Sequence, residues 1–302
     1  MSVLPDLEGR WALIVHGGAK KIEPDKAQAN REGVLAAVEA GRAVLVAGGS
    51  AVDAVEASIR VLEDLPVFNA GRGSVLNAAG TVEMCSGIMD GTDRSVGSVS
   101  VIRNVRHPIE VARRLLPEHE VLLAGEGAQV FAREQGLEVA TEEQLKAEEP
   151  YGSEQAHDTV GAVAVDVAGR VAAGTSTGGL DGTRLGRVGD SPLPGCGFLA
   201  DNRIGGVALS GDGETITRLT VASEIVRRFQ LGEEPDAAIA AAVGELPEVG
   251  GEGADAGAIA VTRDRRIAWH HNSPHFAVAW IDSNMNQPQA GLRKQEEPQP
   301  RD

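Results

Sequence analysis

The chain has 302 residues, of which 42% are hydrophobic and 24% are charged, the balance of a globular protein with a substantial core. Its formal net charge of -16, with no basic stripe interleaved with aromatic residues, argues against nucleic-acid and anionic-membrane partners. No signal peptide or membrane span is expected, and the two cysteines, Cys85 and Cys196, form no disulfide framework. These features favour a cytoplasmic protein.

The first half of the chain predicts one strand followed by helices and short strands. WALIVHGG predicts a strand that ends in a glycine turn, and the Ala and Leu spacing predicts an amphipathic helix over 27–46. Ser50 is a candidate N-cap for a second helix that stops near Pro66. Next come a glycine-broken segment with hairpin strands and the strand VGSVSVIRNV. Further helices are expected over 107–116, 121–135 and 141–148.

The second half opens after a polar linker over 149–158. Alternating valines predict a hairpin around Ala168-Gly169, and a second strand pair is expected around Asn202-Arg203. Two helix-like segments follow, TITRLTVASEIVRRFQ and EPDAAIAAAVGEL, and AGAIAVTRDRRIAWHHN predicts closing strands. The tail from Asp282 onward is predicted to be disordered. This order favours two stacked sheets between helix layers over a doubly wound parallel sheet, because clean βαβ alternation is lacking.

Thr159 lies where the polar segment GSEQAHD meets a predicted strand. Threonine is a weak nucleophile without a base, but the α-amine of an N-terminal threonine can take its hydroxyl proton. That amine has an ordinary pKa of about 7.7 to 8.0, so it can act as a base near neutral pH. Such an N-terminus arises internally if the hydroxyl attacks the preceding carbonyl and the resulting ester is hydrolysed. On these residues alone, an ordinary loop threonine remains the simpler interpretation.

Several motifs carry a resemblance to a known family. Downstream are HDTVGAVAVD, GTSTGGLDGTRLGRVGDSPLPGCGFLADN and LSGDGETI, and upstream are HGGA, GGSAVDAVEASIRVLEDLPVFNAGRGSVLN and IMDG. Together they resemble the isoaspartyl peptidase/L-asparaginase family of N-terminal-nucleophile hydrolases. The resemblance implies an α+β fold, a four-layer αββα sandwich, with Thr159 as the nucleophile. It implies hydrolysis of β-aspartyl dipeptides or L-asparagine through a β-aspartyl-threonine intermediate.

The resemblance also assigns roles around Thr159. Thr177, in TSTGG, matches a threonine whose hydroxyl bonds the nucleophile. Arg187 and Asp190, in GRVGDSP, match a substrate clamp. A guanidinium pairs with an α-carboxylate and a carboxylate receives an α-ammonium, so this pair suits an amino-acid zwitterion. Outside this motif, a solvated loop ion pair would be the simpler interpretation.

Further roles come from the same comparison. Ser210 and Gly211, in SGDGE, match the oxyanion-hole turn, although the family usually has threonine where this chain has Ser210. Gly213 would line the pocket, and Asn69 matches an asparagine that positions the catalytic residues. The chain departs from the family pattern a second time in EMCSGIMDG, where Cys85 and Ser86 stand in place of the more usual acidic-alanine pattern.

The resemblance implies autocleavage between Asp158 and Thr159. The products would be an alpha subunit over 1–158 and a beta subunit over 159–302, together one structural domain and assembled as a homodimer. No catalytic cofactor is expected. A structural Na⁺ is expected on a backbone loop, with the carbonyls of three residues as ligands: Leu62, Glu63 and Phe68.

Other segments of the chain admit other interpretations. GEGADA at 251–256 fits a dinucleotide-binding pattern, but it precedes a strand where that pattern requires a helix. A metal site from His270, His271 and His275 is conceivable, but adjacent strand residues point to opposite faces, so His270 and His271 are poorly placed to chelate together. A glycosylasparaginase-like hydrolase and a degenerate member that only binds remain alternatives. A taspase-like endopeptidase is less favoured, because the linker before Thr159 is short.

Overall fold

The computed structural model describes residues 9–147 and 158–294. Its strands are β1 (Ala12–Lys20), β2 (Met84–Asp90), β3 (Val96–Ile102), β4 (Leu122–Ala124), β5 (Val160–Val165), β6 (Val171–Thr177), β7 (Phe198–Asp201), β8 (Gly205–Gly211), β9 (Ala256–Thr262), β10 (Ile267–His271), β11 (His275–Asp282) and β12 (Gln289–Gly291). They assemble into an eight-stranded sheet with the order β12-β11-β1-β5-β6-β2-β3-β4 and a four-stranded sheet with the order β10-β9-β8-β7.

Helices cover the outer face of each sheet. The helices are α1 (Ala27–Val46), α2 (Ala51–Asp64), α3 (Pro108–Leu115), α4 (Gly125–Glu134), α5 (Glu142–Leu145), α6 (Gly213–Leu219), α7 (Val221–Gln230), α8 (Pro235–Gly244) and α9 (Leu246–Gly250). The helices α1 and α2 pack on β11, β5 and β6, while α7 and α8 pack on β8 and β10. The two sheets pack on each other through β5 with β8 and β1 with β9. The predicted four-layer αββα sandwich is confirmed.

Each layer boundary has its own apolar cluster, because the strands alternate their side chains between two buried faces. Leu13 and Val15 of β1 join the cluster under α1 and α2, whereas Ile14 joins the cluster between the sheets. A third cluster lies between the small sheet and α7 and α8, with Val207 and Ile225 among its members. Strands buried on both sides explain why the core segments are nearly continuous runs of Val, Ala and Ile.

The predicted elements of the first half match well. The helix over 27–46 has the predicted bounds, and Ser50 caps α2 by accepting a hydrogen bond from the backbone N–H of Asp53. The segment 121–135 differs, because Leu122–Ala124 pairs parallel to β3 before α4 begins. The helix-like segment after β8 is broken at Thr220, which has a φ of 48° and separates α6 from α7.

The prediction of disorder from Asp282 is wrong for the described part of the tail. Gln289–Gly291 forms β12 on the edge of the large sheet, beside β11. Leu292 is buried, and its carbonyl accepts a hydrogen bond from the backbone N–H of Phe276 at 2.8 Å. The polar composition hid a short edge strand that only its pairing partner stabilises. Residues 295–302 lie outside the described residues, as does most of the linker predicted over 149–158.

Candidate active site

Thr159 is placed at the mouth of the space between the two sheets. It directly precedes β5, which lies between β1 and β6 in the large sheet. A Cβ on Gly161 would lie 3.1 Å from the Cβ of Ala208, so this face of β5 meets β8 of the other sheet. Alternate residues of a strand share a face. Thr159 and Ser210 lie two residues beyond this contact on their strands, and both face the space between the sheets.

The Thr159 hydroxyl has a hydroxyl partner that the sequence analysis missed. Its Oγ1 lies 2.8 Å from the Oγ of Ser191, and both residues are buried. The Thr175 hydroxyl donates to the Ser191 carbonyl at 2.6 Å, which fixes this loop against β6. Ser191 follows Asp190 in GRVGDSP, so its place in that motif was the signal available in the sequence.

Thr177, at the end of β6, lies opposite Thr159 in the antiparallel pairing of β5 with β6. Val160 pairs with Ser176, and extending this antiparallel register by one residue places Thr159 opposite Thr177. The Thr177 Oγ1 accepts a hydrogen bond from the backbone N–H of Gly179 at 3.1 Å, and its orienting role stays a prediction. On its other side Thr177 pairs with Cys85, where burial raises the pKa of the thiol to about 11.

Asn69 ties the loop after α2 to the turn that follows Thr177. Its backbone carbonyl accepts from the N–H of Gly178 at 2.8 Å, and its side-chain Nδ2 donates to the Gly179 carbonyl at 2.7 Å. Its Oδ1 accepts from the N–H of Val75 at 3.1 Å. This buried amide therefore fixes the backbone next to Thr177, which is the geometry that a positioning role requires.

The residues predicted to form the oxyanion hole lie at the end of β8. Ser210 is fully buried, and its Oγ accepts a hydrogen bond from the backbone N–H of Ala19 at 3.0 Å. Gly211 packs closely on β9, where a Cβ would lie 2.3 Å from the Asp255 carbonyl oxygen. The serine hydroxyl thus also anchors β1, a structural duty that accompanies its predicted catalytic one.

The predicted clamp residues converge around Gly213. A Cβ at Gly213 would lie 2.8 Å from the Oδ1 of Asp190 and 3.0 Å from the Nη2 of Arg187, so only glycine leaves this space open. Burial raises the pKa of Asp190 to about 7, although the nearby Arg187 guanidinium opposes the shift. The Oδ2 of Asp190 is buried and has no hydrogen-bond partner among the described residues. A cationic group entering the pocket would satisfy this oxygen.

Arg187 already holds a carboxylate in this structure. Its Nε donates to the Oε1 of Glu214 at 2.9 Å, and its Nη2 donates to Oε2 at 2.7 Å. These hydrogen bonds lower the pKa of Glu214, so the residue is ionised at neutral pH. The planar fork and the two acceptor oxygens form the same bidentate arrangement that an α-carboxylate would form.

Two further ionisable residues of β1 lie beside the Asp158–Thr159 junction, and the sequence analysis singled out neither. Burial lowers the pKa of His16 to about 3, so the ring is neutral at physiological pH. The nearby backbone of Thr159 favours the protonated ring and so partly opposes this lowering of the pKa. Neither ring nitrogen, however, makes a hydrogen bond of normal geometry. The Nζ of Lys20 lies 3.1 Å from the Oδ2 of Asp158. No pattern in the sequence indicates that Lys20 lies beside the predicted cleavage position, because Lys20 and Asp158 are far apart along the chain.

The histidines considered as metal ligands make separate contacts and form no common site. His271 bonds within its own turn, through Ser273, and His275 accepts at its Nδ1 from the backbone N–H of Ile22. Over residues 9–147 and 158–294, His, Cys, Asp and Glu side chains form no group of three or more that could hold a metal ion. The segment GEGADA leads into β9 rather than into a helix, so the dinucleotide interpretation is excluded.

The comparison with protein families decides the relationship. The family model described as asparaginase matches residues 9–151 and 139–289 of the chain, which together span most of its length. The chain belongs to the asparaginase family. This result confirms the resemblance drawn from the motifs, and with it the expectation of an amidohydrolase.

Individual members of the family are similar along most of the chain. A protein named isoaspartyl peptidase/L-asparaginase from Xenopus laevis is 42% identical over 257 residues, which are 80% of this chain and 83% of that protein. Its namesake from Homo sapiens is 40% identical over 251 residues, 78% of this chain and 82% of that protein. A plant-type L-asparaginase from Pyrococcus abyssi (strain GE5 / Orsay) is 39% identical over 307 residues, 93% of this chain and 99% of that protein.

Proposed function

We propose that this asparaginase-family chain cuts itself between Asp158 and Thr159 and then hydrolyses the β-amide of L-asparagine and of β-aspartyl dipeptides. The observation that carries the proposal is the position of Thr159. It is buried at the start of a central strand, its hydroxyl is hydrogen-bonded, and it faces the same space as Ser210. The names of the relatives support the substrates, since they describe isoaspartyl peptidases and L-asparaginases.

The proposed chemistry starts at the free α-amine of Thr159. The amine takes the hydroxyl proton while Oγ1 attacks the β-carbonyl carbon of the substrate. Ser210 and the backbone N–H of Gly211 stabilise the oxyanion, and one such donor can lower the activation free energy by about 3 kcal/mol. The amine then passes its proton to the leaving nitrogen, and water releases L-aspartate from the ester.

Arg187 and Asp190 hold the substrate in this proposal. The guanidinium receives the α-carboxylate and the buried carboxylate of Asp190 receives the α-ammonium, whose arrival satisfies its unpaired oxygen. Thr177 orients the nucleophile and Asn69 fixes the backbone next to it. A glycosylasparaginase-like activity and a binding protein without activity are the alternatives that a substrate assay would distinguish.

We also propose a structural Na⁺ where α2 ends and the following loop begins, held by the carbonyls of Leu62 and Glu63 in the last turn of α2 and of Phe68 in the loop. A Cβ on Gly73 would lie 2.5 Å from the Phe68 carbonyl oxygen and 2.9 Å from that of Pro66, so these oxygens border a space that a side chain would fill. Sodium takes such neutral oxygen ligands. A higher unfolding temperature in sodium chloride than in choline chloride of equal ionic strength would support the site.

The assembly and location are proposals as well. We propose a homodimer of cleaved protomers, which sedimentation equilibrium would test. No helix in the described parts of the chain is long and apolar enough to span a membrane. A cytoplasmic location is supported by Cys85 and Cys196, which are both free and buried.

The deciding experiment is the intact mass of the purified chain under denaturing conditions during incubation at neutral pH. We expect two fragments, the second beginning at Thr159, and release of L-aspartate from β-aspartyl dipeptides. Thr159→Ala should stay uncut and inactive. Thr92→Ala, at an exposed threonine in the turn after β2, is the matched control and should behave as the wild type. Robust turnover by Thr159→Ala would contradict the proposal.

A further inference from the structure

A buried ion pair lies at the junction that the proposed cleavage would cut. The Nζ of Lys20 is 3.1 Å from the Oδ2 of Asp158, and the two side chains are only 6% and 0% exposed. Removing two charges from water is costly, and an apolar pair of similar volume often stabilises a fold as well or better. A buried ion pair is therefore weak evidence for a role in stability, and its position directs attention to the adjacent bond.

Lys20 is held independently of Asp158. Its ammonium also donates to the Val67 carbonyl at 3.2 Å, and it lies 5.8 Å from the centroid of the Phe68 ring. Both contacts come from the loop after α2, the loop that carries Asn69. The ammonium is thus fixed by the scaffold before it meets the carboxylate, so it can act as an anchor.

The backbone of β1 encloses the same junction. The register of β1 against β11 shifts between His16 and Ala19, and Gly18 within this bulge has a φ of 103°. A Cβ on Gly18 would lie 2.8 Å from the Cα of Asp158, so the bulge contacts the backbone of that residue. The backbone contact from Gly18 and the ion pair with Lys20 together restrict where Asp158 presents its carbonyl carbon.

We propose that Lys20 is a positioning residue for the cleavage of the chain, because its ammonium anchors the Asp158 side chain and so holds the Asp158 carbonyl against the Thr159 hydroxyl. This inference rests on the proposed function. In the cleavage, Oγ1 of Thr159 bonds to the Asp158 carbonyl carbon, the bond from that carbon to the Thr159 nitrogen breaks, and the hydroxyl proton ends on the nitrogen. Water then hydrolyses the ester, leaving a carboxylic acid on Asp158 and restoring the hydroxyl. Lys20 touches none of the reacting atoms.

The ammonium also keeps Asp158 in a defined charge state. Burial raises the pKa of Asp158, and the neighbouring Lys20 opposes that shift. Without the cation, the carboxyl would be driven either to take a proton or to turn toward water, and either change displaces the adjacent carbonyl.

The test is the rate of cleavage, followed by denaturing mass spectrometry of freshly purified chain at neutral pH. We expect Lys20→Met to slow cleavage by about tenfold or more, because it leaves a buried carboxylate without its partner. Lys20→Arg should restore part of the rate. Lys21→Met is the matched control, since the side chain of the neighbouring lysine is 58% exposed and pairs with the equally exposed Glu23. It should cleave at the wild-type rate.

A double-mutant cycle separates positioning from folding. Asp158→Asn removes the negative charge that pairs with Lys20. Adding Lys20→Met to the Asp158→Asn variant should therefore slow cleavage much less than Lys20→Met slows cleavage of the wild-type chain. Additive effects, or wild-type cleavage by Lys20→Met, would overturn the inference. Circular dichroism of each variant reports folding. If Lys20→Met alone is unfolded, Asp158→Asn decides instead, because it lacks the carboxylate that the ammonium is proposed to anchor: wild-type cleavage by a folded Asp158→Asn chain would overturn the inference. A wild-type chain that never cleaves would instead contradict the proposed function itself.

Discussion

Glu214 occupies the fork of Arg187 that the substrate is proposed to use, so removing its charge should tighten substrate binding. The substrate α-carboxylate needs the same Nε and Nη2 donors that Glu214 holds at 2.9 and 2.7 Å. Either the glutamate leaves before the substrate binds or the two carboxylates share one guanidinium. In both cases the pair must be weakened, and its free energy is subtracted from that of substrate binding.

The magnitude follows from exposure. The Glu214 side chain is 56% exposed, and that of Arg187 is 16% exposed. Pairs this accessible to water contribute up to about 1 kcal/mol, and the bidentate geometry places this one near the upper end. A loss of about 1 kcal/mol of competition corresponds to about a fivefold change in an equilibrium constant. Glu214→Gln should therefore lower KM by about threefold to fivefold, with kcat little changed.

The assay is initial-rate kinetics on L-asparagine and on a β-aspartyl dipeptide at low ionic strength, together with the inhibition constant of L-aspartate. All three ligands carry the α-carboxylate, so all three constants should fall by a similar factor. Glu224→Gln is the matched control, because Glu224 forms the same bidentate pair with Arg227 on α7, at 2.7 Å for both bonds. A higher KM in Glu214→Gln would refute the reasoning and show that Glu214 orients Arg187 for the substrate.

Three further predictions follow from the contacts described above. Because burial raises the pKa of Asp190 to about 7 and the α-ammonium needs the ionised form, the inhibition constant of L-aspartate should be about tenfold higher at pH 6 than at pH 8. Succinate, which lacks the ammonium, should not show this weakening, and a flat profile for L-aspartate would contradict the assignment. Ser191→Ala removes the partner of the Thr159 hydroxyl and should slow cleavage about fivefold, whereas an unchanged mass time course would deny it an orienting role. Ser50→Ala removes the cap of α2 and should cost about 1 kcal/mol in urea unfolding, with Ser50→Gly costing only a few tenths; equal losses would argue against capping.

The local elements were predictable because they depend on near neighbours in the chain. The spacing of apolar residues placed α1, and the N-cap preference of serine placed the start of α2. The hairpin of β5 and β6 followed from alternating valines around a glycine turn. The same approach did not predict the strand in the tail beyond Asp282. The segment that forms β12 has too few apolar residues to show a strand pattern, and the strand depends on its pairing with β11.

The site divides in the same way. The sequence by itself determined the family, the candidate nucleophile Thr159 and the clamp residues Arg187 and Asp190, since motifs of fixed residue types carry them. Only the tertiary structure brought Ser191 to the Thr159 hydroxyl and Lys20 to Asp158. The physical reason is distance along the chain. A contact between residues that the fold alone makes neighbours depends on how β1, β5 and the intervening loops pack, and such packing leaves no local pattern in the sequence.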